Sequence, residues 1–421
     1  MAKAIGIDFG TTNSVVAVLE QDGSVTARRH PIDGATTDVF RSILCFWNEE
    51  LPGRSVLHDA AGPAAIQAYL DDPLESRLIM SMKTYLAQRS FSETRIHKRR
   101  FTLERLVATF LTALLGDVPR DVPIVVGRPV RFAGELTDDA FGATRLRASY
   151  AEAGLADVTL AFEPEGAGYR FARTLTQPAT VLVGDFGGGT SDFSVMRFAP
   201  GAARRVTPLG HAGIGIAGDV FDYRIIDNVV SPLLGKGDSY SVMGKRLPVP
   251  PDYYAAFARW HRLSLMRTPK ILREIAEVAY GAEHPERLKN LIALINDERG
   301  YLLYQAVAAA KAALSHDDAA PLAFRHKDFV VDTVIARADF EAWIADDLRR
   351  LAATIDQALA NAGVGADAVD HVFLTGGTSF VPAVRALFVE RFGQEKLAAG
   401  GEFVSVAEGL ALIAGDAARA G

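Results

Sequence analysis

The segment from Val181 to Val195, V-L-V-G-D-F-G-G-G-T-S-D-F-S-V, constrains the fold of this chain more than any other. An apolar run leads into Asp185, three glycines follow, and a second alternating run leaves the turn. Successive glycines adopt backbone conformations that other residues avoid, so their N–H groups can come close to a ligand and point at it. The pattern predicts a β-hairpin whose turn cradles phosphate groups.

The acidic residues Asp185 and Asp192 flank these glycines. Carboxylates repel phosphate, so we expect a divalent cation, most simply magnesium held through water, to lie between them and the ligand. A nucleotide is the natural ligand for such a site. For this segment alone, an ordinary glycine-rich hairpin without a ligand remains an alternative, because short motifs have false positives.

A second copy of the pattern lies near the N-terminus. The segment Ala4 to Val18 reads A-I-G-I-D-F-G-T-T-N-S-V-V-A-V, again an apolar run, Asp-Phe-Gly, a small polar turn and another apolar run. Aligning Asp8 with Asp185 brings the two segments into register, which makes an internal repeat. The repeat predicts two related lobes that face one nucleotide.

The pair G-I-D-F-G-T-T-N-S and G-D-F-G-G-G-T-S-D resembles the two phosphate motifs of the actin, sugar-kinase and heat-shock ATPase superfamily. Within it, the chain resembles the DnaK-type seventy-kilodalton heat-shock chaperones over essentially its full length. The triplet Gly127-Arg128-Pro129 stands where those chaperones have Val-Pro, and it is similar to the short YegD-like branch. The resemblance implies an α/β fold of the actin-like ATPase (ribonuclease-H-like) type, with two lobes whose mixed sheets flank a central nucleotide cleft.

The resemblance also implies the domain organisation. Lobe I is expected at residues 1–178, with an inserted subdomain at 39–106 and a closing helix at 399–421 that returns to it. Lobe II is expected at residues 179–398, with an inserted subdomain at 229–325. The last residues, G-D-A-A-R-A-G, are small and polar where the chaperones have an apolar linker, so we expect a nucleotide-binding half that lacks the peptide-binding β domain.

The ligands implied by the resemblance are ATP or ADP with Mg²⁺, and K⁺ is a second candidate ion. Asp8 and Asp185 would hold the magnesium through water. Small and glycine residues of the two turns would face the phosphates, and these are Gly10, Thr11, Thr12, Asn13, Gly187, Gly188 and Gly189.

Four residues match the catalytic positions of the family. Lys83 follows the apolar segment 74–82, which we predict to be a helix, and a fixed cation there would stabilise charge on the transferred phosphoryl group. A solvated surface lysine is the alternative. Glu163 begins an E-P pair that would open a bridging helix and order the water around the metal. Thr190 and Asp192 occupy positions where water positioning or proton acceptance occurs.

The segment from Gly213 to Gly218, G-I-G-I-A-G, is literally a dinucleotide-binding pattern. We reject that interpretation because the segment follows a complete phosphate hairpin, whereas the Rossmann glycines follow the first strand of a βαβ unit. Gly218 instead matches the glycine-glycine-acidic turn of the heat-shock family and is a candidate nucleotide contact.

The remaining candidate contacts match the adenosine motifs of the family, and they are Lys311, Ser315, Gly376, Gly377 and Thr378. Three departures accompany them. Ala308 and Ala312 stand where a glutamate and a basic residue hold the adenosine, and Phe380 replaces an arginine. Ser379 is expected to cap the helix that begins near Pro382.

Charge and cysteine content exclude several other classes. Lys and Arg total 45 against 51 Asp and Glu, a net charge of −6, which disfavours nucleic acid or an anionic membrane as a partner. We interpret the basic run Arg95 to Arg100 as a solvated hairpin tip. Cys45 is the only cysteine, so no intrachain disulfide or cysteine zinc site can form. No signal-like segment or 18-residue apolar run is present, and we expect a cytoplasmic protein.

The leading hypothesis is a weak magnesium-dependent ATPase that acts as a chaperone-related nucleotide switch, as a monomer, with a protein partner or co-chaperone. The alternatives are a small-molecule kinase, a filament-forming ATPase of the actin or MreB type, and a binding module in which nucleotide switches a surface. A kinase would need an acceptor pocket with its own general base, and no motif identifies one.

Overall fold

The computed structural model describes residues 2–32, 35–134, 137–199, 206–259, 263, 266–398 and 404–420. The chain divides into two compact units. One comprises residues 1–218 and 348–421, and the other comprises residues 219–347. The lobe boundaries expected from the sequence stay a prediction, and residues 399–403, where the closing segment was expected to begin, lie outside the described residues.

The strands, in chain order from β1 to β22, are Ala2–Phe9, Asn13–Glu20, Val25–Ala27, His30–Ile32, Ala35–Thr37, Phe40–Arg41, Ile43–Leu51, Arg54–Ala61, Ser76–Met80, Glu93–Ile96, Arg99–Thr102, Ile124–Arg128, Val158–Phe162, Ala179–Phe186, Ser191–Phe198, Val206–Ile214, Ser239–Val242, Lys245–Pro248, Ala319–His326, Phe329–Ala336, His371–Thr375 and Leu397–Ala398.

The α-helices, in chain order from α1 to α13, are Pro63–Asp71, Leu103–Leu115, Asp139–Glu152, Glu163–Ala172, Gly218–Ile225, Pro251–Phe257, Pro269–Tyr280, Pro285–Asn296, Gly300–Leu314, Arg337–Trp343, Ala345–Ala362, Pro382–Phe392 and Ser405–Ala420. Short 3₁₀ segments include Met82–Tyr85 and Gly377–Phe380.

Two sheets of the first unit have the same pairing plan. In one, the order is β13-β12-β1-β2-β3, and β6 also pairs with β2. In the other, the order is β16-β15-β14-β21-β22. Each sheet joins an antiparallel three-stranded meander to two parallel strands, and in each the glycine hairpin forms the central antiparallel pair. The mixed sheets confirm the predicted α/β actin-like ATPase fold.

Helices α4 and α13 pack against both sheets in one apolar cluster, whose members include Val15 of β2, Val183 of β14 and Leu410 of α13. The helices themselves cross very closely. A Cβ added at Gly409 would lie 1.6 Å from the backbone oxygen of Gly166. Only glycine at this crossing lets the two backbones approach so far.

The segment 74–82 was predicted to be helical, and this prediction is wrong. Residues 76–80 form β9, which pairs antiparallel with β7 from Trp47↔Ser76 to Ile43↔Met80. The apolar run suits a strand as well as a helix, and the available edge of β7 decides between them. The basic run was correctly placed in a hairpin, because β10 and β11 meet at a turn formed by His97 and Lys98, both with positive φ.

The described residues of the second unit are mostly helical and include the two-stranded hairpins β17–β18 and β19–β20. Phe221 of α5 and Phe340 of α10 meet edge to face in its interior. The guanidinium of Arg224 binds the carboxylate of the buried Asp347 through two hydrogen bonds, of 2.8 and 3.1 Å. Among the described residues of the whole chain, no helix is both long and apolar enough to span a membrane.

Candidate functional site

The first glycine turn joins β1 to β2, and it requires a glycine at position 10. A Cβ at Gly10 would lie 2.0 Å from the backbone oxygen of Asn13, so a larger residue would displace the turn. Thr11 is buried, and the hydroxyl of Thr12 is buried without a hydrogen-bond partner in the protein. An unpaired buried hydroxyl in such a turn is a free hydrogen-bonding group for a ligand.

The amide side chain of Asn13 is held by an arginine that sequence reasoning missed. Nη1 of Arg41, on β6, donates to Oδ1 of Asn13 at 2.9 Å. The backbone N–H of Ser42 donates to the oxygen of Thr12 at 2.9 Å, and the hydroxyls of Ser14 and Ser42 are 2.9 Å apart. No motif marked residues 41 and 42, because their role comes from the pairing of β6 with β2.

The second glycine turn joins β14 to β15. The N–H of Gly187 donates to the oxygen of Thr190 at 2.9 Å, which closes the turn around Gly188 and Gly189. Gly187 is exposed and Thr190 is buried, so the turn presents its glycines outward from the sheet.

The two turns face each other. A Cβ added at Gly189 would lie 3.2 Å from Oγ1 of Thr11 and 3.6 Å from Cβ of Ala133. The two copies of the repeat therefore form turns that lie next to each other, and a phosphate site formed by them stays a prediction.

Strand ends place the acidic residues beside the turns. Asp8 lies at the end of β1, and Asp185 lies at the end of β14 directly opposite Asp192 of β15. Oδ1 of Asp192 accepts the backbone N–H groups of Val130 at 2.9 Å and Arg131 at 3.2 Å. The Thr190 hydroxyl also donates to Asp192, so this carboxylate is rigidly held.

Lys83 is buried and paired rather than solvated. Its Nζ lies 2.5 Å from Oε1 of Glu163, and the two side chains are 6% and 7% exposed. Glu163 is the first residue of α4, where the helix dipole favours a negative charge. The burial excludes the surface-lysine alternative.

The acidic residues and Lys83 interact electrostatically as one group. Burial raises the pKa of Asp8 to about 7, the charge of Glu163 adds to this effect, and the charge of Lys83 opposes it. Burial and the same glutamate raise the pKa of Asp192 to about 7 and that of Asp185 well above its usual range. Burial opposes the charged form of Lys83, yet Glu163 and Asp8 together raise its pKa.

A second arginine missed by sequence reasoning supports the segment that carries Lys83. Arg145 of α3 is buried, its Nε lies 2.5 Å from Oε1 of Glu104, and its Nη1 donates to the oxygens of Phe91 at 2.9 Å and Tyr85 at 3.3 Å. Tyr85 ends the 3₁₀ segment of Lys83. The arginine therefore ties this segment to helices α2 and α3.

The glycine motif after β21 lies beside the second turn. A Cβ at Gly376, which has φ of 86°, would lie 1.9 Å from the oxygen of Phe186, the last residue of β14. Gly377 and Thr378 follow in the 3₁₀ segment. The predicted cap at Ser379 is wrong, because its hydroxyl donates to the oxygen of Gly376 at 2.6 Å while α12 begins at Pro382.

The other predicted adenosine contacts lie elsewhere along the chain. Gly218 is the first residue of α5. Within the second unit, Nζ of Lys311 lies 2.7 Å from Oδ1 of Asp222, so its charge is neutralised inside the protein. Ser315 follows the last residue of α9, and its hydroxyl is 3.4 Å from the oxygen of Lys311.

The charge of the site suits a cation. The four carboxylates of Asp8, Glu163, Asp185 and Asp192 face one amine, that of Lys83, which leaves three formal negative charges when all are ionised. Among the described residues, no group of three or more His, Cys, Asp or Glu side chains is arranged to coordinate a metal ion. Carboxylates are ligands that suit an ion such as Mg²⁺, which usually retains several waters.

Comparison with known proteins identifies relatives of this chain. The HSP70 family model, described as Hsp70 protein, matches residues 287–417. The chain is 26% identical over 431 residues to the chaperone protein DnaK of Thermus thermophilus, covering 99% of this chain and 61% of that protein. It is 25% identical over 430 residues to the chaperone protein DnaK of Deinococcus deserti, covering 99% and 60%. The chain thus spans about three-fifths of the length of these relatives.

Proposed function

We propose that the chain, which is similar to proteins of the Hsp70 family, is a magnesium-dependent ATPase that binds ATP or ADP at the facing glycine turns. One observation carries this proposal. The turn at Gly189 comes within contact distance of Thr11, beside four carboxylates and a buried lysine. Backbone-lined turns suit phosphates, and a fixed cation suits phosphoryl transfer.

The phosphates would be held by the two turns. The N–H groups of Gly188 and Gly189 would supply donors, and the unpaired hydroxyl of Thr12 would supply a further hydrogen bond. Gly187 would line the site, while its own N–H closes the turn on Thr190. Asn13, fixed by Arg41, would line the same turn. For the adenosine, we propose contacts from Gly218, Gly376, Gly377 and Thr378 of the first unit. Lys311 and Ser315 of the second unit match adenosine positions of the family and stay predictions from that resemblance.

Asp8 and Asp185 would hold Mg²⁺ through water, because each carries a carboxylate at a strand end beside a glycine turn. When bound, Mg²⁺ neutralises charge on the phosphates. The carboxylate charge of this chain then serves to orient the water shell rather than to repel the nucleotide. K⁺ is a second ion that the family resemblance suggests.

The chain's own residues would assist hydrolysis as follows. The ammonium of Lys83, held by Glu163, would stabilise negative charge that develops on the transferred phosphoryl group. Asp192 and Thr190 would position the attacking water and accept its proton, and the two N–H donors to Asp192 keep that carboxylate in place. No other strong base joins this group in our assignment, so we expect slow turnover.

We further propose that the nucleotide state is read by a protein partner, in a chaperone-related role of the YegD-like branch. The support is the relationship to proteins named as DnaK chaperones. A small-molecule kinase would instead transfer the phosphoryl group to an acceptor.

The experiment measures binding of magnesium-ATP by calorimetry and release of phosphate by the purified chain. We expect binding that Asp8→Asn and Asp185→Asn weaken, while Asp121→Asn, at an exposed position, does not. Phosphate release should not depend on added sugar or acetate. Absence of ATP binding, or transfer of phosphate to an acceptor in place of hydrolysis, would reject the proposal.

A further inference from the structure

Arg128, at the end of β12, folds back onto the turn that follows it. Its Nε donates to the oxygen of Pro129 at 3.0 Å, and its Nη2 donates to the oxygen of Val130 at 3.2 Å. One guanidinium therefore holds two successive carbonyl groups. The planar fork of an arginine can do this, whereas a lysine ammonium lacks the same geometry.

The backbone N–H groups of the same turn donate hydrogen bonds to a carboxylate. Val130 and Arg131 both donate to Oδ1 of Asp192, the residue to which we assign water positioning. Asp192 is the register partner of Gly213 of β16, where an added Cβ would lie 2.3 Å from Oδ1 of Asp192 and 3.1 Å from the backbone nitrogen of Arg131. A side chain at position 213 would therefore clash with both partners of the hydrogen bond between Arg131 and Asp192.

Arg128 also contacts the element that carries Glu163. Its guanidinium lies over the ring of Phe162, 5.0 Å from the centroid, and over that of Phe132 at 5.4 Å. Phe162 immediately precedes Glu163 and is the register partner of Arg128 in the parallel pair β12–β13. Arg128 therefore touches both the turn that holds Asp192 and the residue next to the partner of Lys83.

We propose that Arg128 is a positioning residue for phosphoryl transfer, which holds residues 129–131 so that the N–H groups of Val130 and Arg131 fix Asp192 relative to the Lys83–Glu163 pair. This inference rests on the proposed ATPase function, and it adds a residue that the phosphate motifs do not contain. A small displacement of a water-positioning group can slow a reaction strongly without loss of substrate binding. The arginine thus affects the reaction rate through Asp192.

The test compares three variants. Arg128→Ala removes the clamp, Arg128→Lys keeps the positive charge but not the paired donors, and Arg99→Ala removes an exposed arginine of β11 as a control outside the site. For each we measure kcat for magnesium-ATP, Kd for magnesium-ATP, and amide hydrogen exchange of the peptide that contains Val130 and Arg131. A role limited to overall stability would not separate kcat from Kd.

We expect Arg128→Ala and Arg128→Lys each to lower kcat by about tenfold or more, with Kd changed by less than about twofold. Exchange at Val130 and Arg131 should accelerate in both variants, and Arg99→Ala should match the wild type. Full activity of Arg128→Lys, or wild-type kcat in Arg128→Ala, would overturn the inference. If the wild type hydrolyses no ATP, the proposed function fails, and unchanged amide exchange in Arg128→Ala would separately reject the clamp.

Discussion

Nζ of Lys83 lies 2.5 Å from Oε1 of Glu163, although the two residues are 80 positions apart in the chain. Lys83 follows a strand at the edge of one sheet, and Glu163 begins a helix after the edge strand of another. Both side chains are buried, so neither charge is balanced by water. The pair therefore has a structural role and, in the proposed mechanism, a chemical one.

Lys83→Met should separate these two roles. Removing the amine leaves Glu163 buried near other carboxylates, and breaking a buried pair in this way costs about 3–5 kcal/mol of unfolding free energy. The double variant Lys83→Met with Glu163→Gln should recover most of that stability. Both variants should still bind magnesium-ATP but hydrolyse it much more slowly. Chemical denaturation measures the stability, and phosphate release measures the hydrolysis.

Lys289→Met is the control, because Lys289 is exposed on α8 and its loss should change neither stability nor hydrolysis. Wild-type hydrolysis by the stable double variant would show that Lys83 does not act on the phosphoryl group.

Thr12→Val tests the unpaired hydroxyl of the first turn. Since Oγ1 of Thr12 is buried without a protein partner, its removal should leave the melting temperature of the ligand-free protein unchanged or slightly higher. The rise in melting temperature on adding magnesium-ATP should shrink, because a phosphate contact is lost. Thr144→Val, at an exposed position of α3, should leave that rise intact. An unaltered response in Thr12→Val would mean that this hydroxyl does not face the nucleotide.

Gly409→Ala should destabilise the protein far more than Gly415→Ala, although both residues lie on α13. At Gly409 the added Cβ meets the backbone oxygen of Gly166 at 1.6 Å, which only a shift of helix α4 could relieve. At Gly415 it meets the end of the Leu19 side chain at 2.2 Å, which can rotate away. We expect about 2–4 kcal/mol between the two variants in chemical denaturation. Equal stabilities would contradict the close crossing of α4 and α13.

His30 should make stability depend on pH on the acidic side. Burial, assisted by the charge of Arg28, lowers the pKa of His30 to about 4 from an ordinary value of 6.5. The unfolded chain therefore binds a proton between pH 6.5 and 4 that the folded chain does not. Above pH 6.5 this residue does not lower the free energy of unfolding. As the pH is lowered toward 4 the free energy of unfolding falls, by about 1–2 kcal/mol at pH 5.

His30→Phe should remove this part of the pH dependence, since the ring of His30 already packs against Phe40 with centroids 4.5 Å apart. His316→Phe, at an exposed position, should retain it. Denaturation between pH 5 and 7 measures the difference. Parallel pH profiles for the wild type and His30→Phe would show that protonation of His30 does not destabilise the folded protein.

Several features of the fold follow from local sequence. The glycine hairpins, the helix that begins at Glu163 and the basic hairpin of residues 95–100 all occur where the pattern places them. Each depends on a few consecutive residues whose backbone conformations are restricted, above all at Gly10 and in the glycine run at 187–189. By contrast, residues 76–80 carry an apolar run that satisfies either a helix or a strand, and pairing with β7 makes them a strand.

The sequence alone was sufficient to place the two glycine turns, because an internal repeat with Asp-Phe-Gly and a small polar turn leaves few local conformations. It did not reveal that Lys83 is buried against Glu163, that Arg145 supports its segment, or that Arg128 holds the turn beside Asp192. Those relationships join positions far apart in the chain or depend on how a turn meets a neighbouring sheet. Packing of the strands and helices sets them, since the energy of a buried charge depends on the groups that surround it in space.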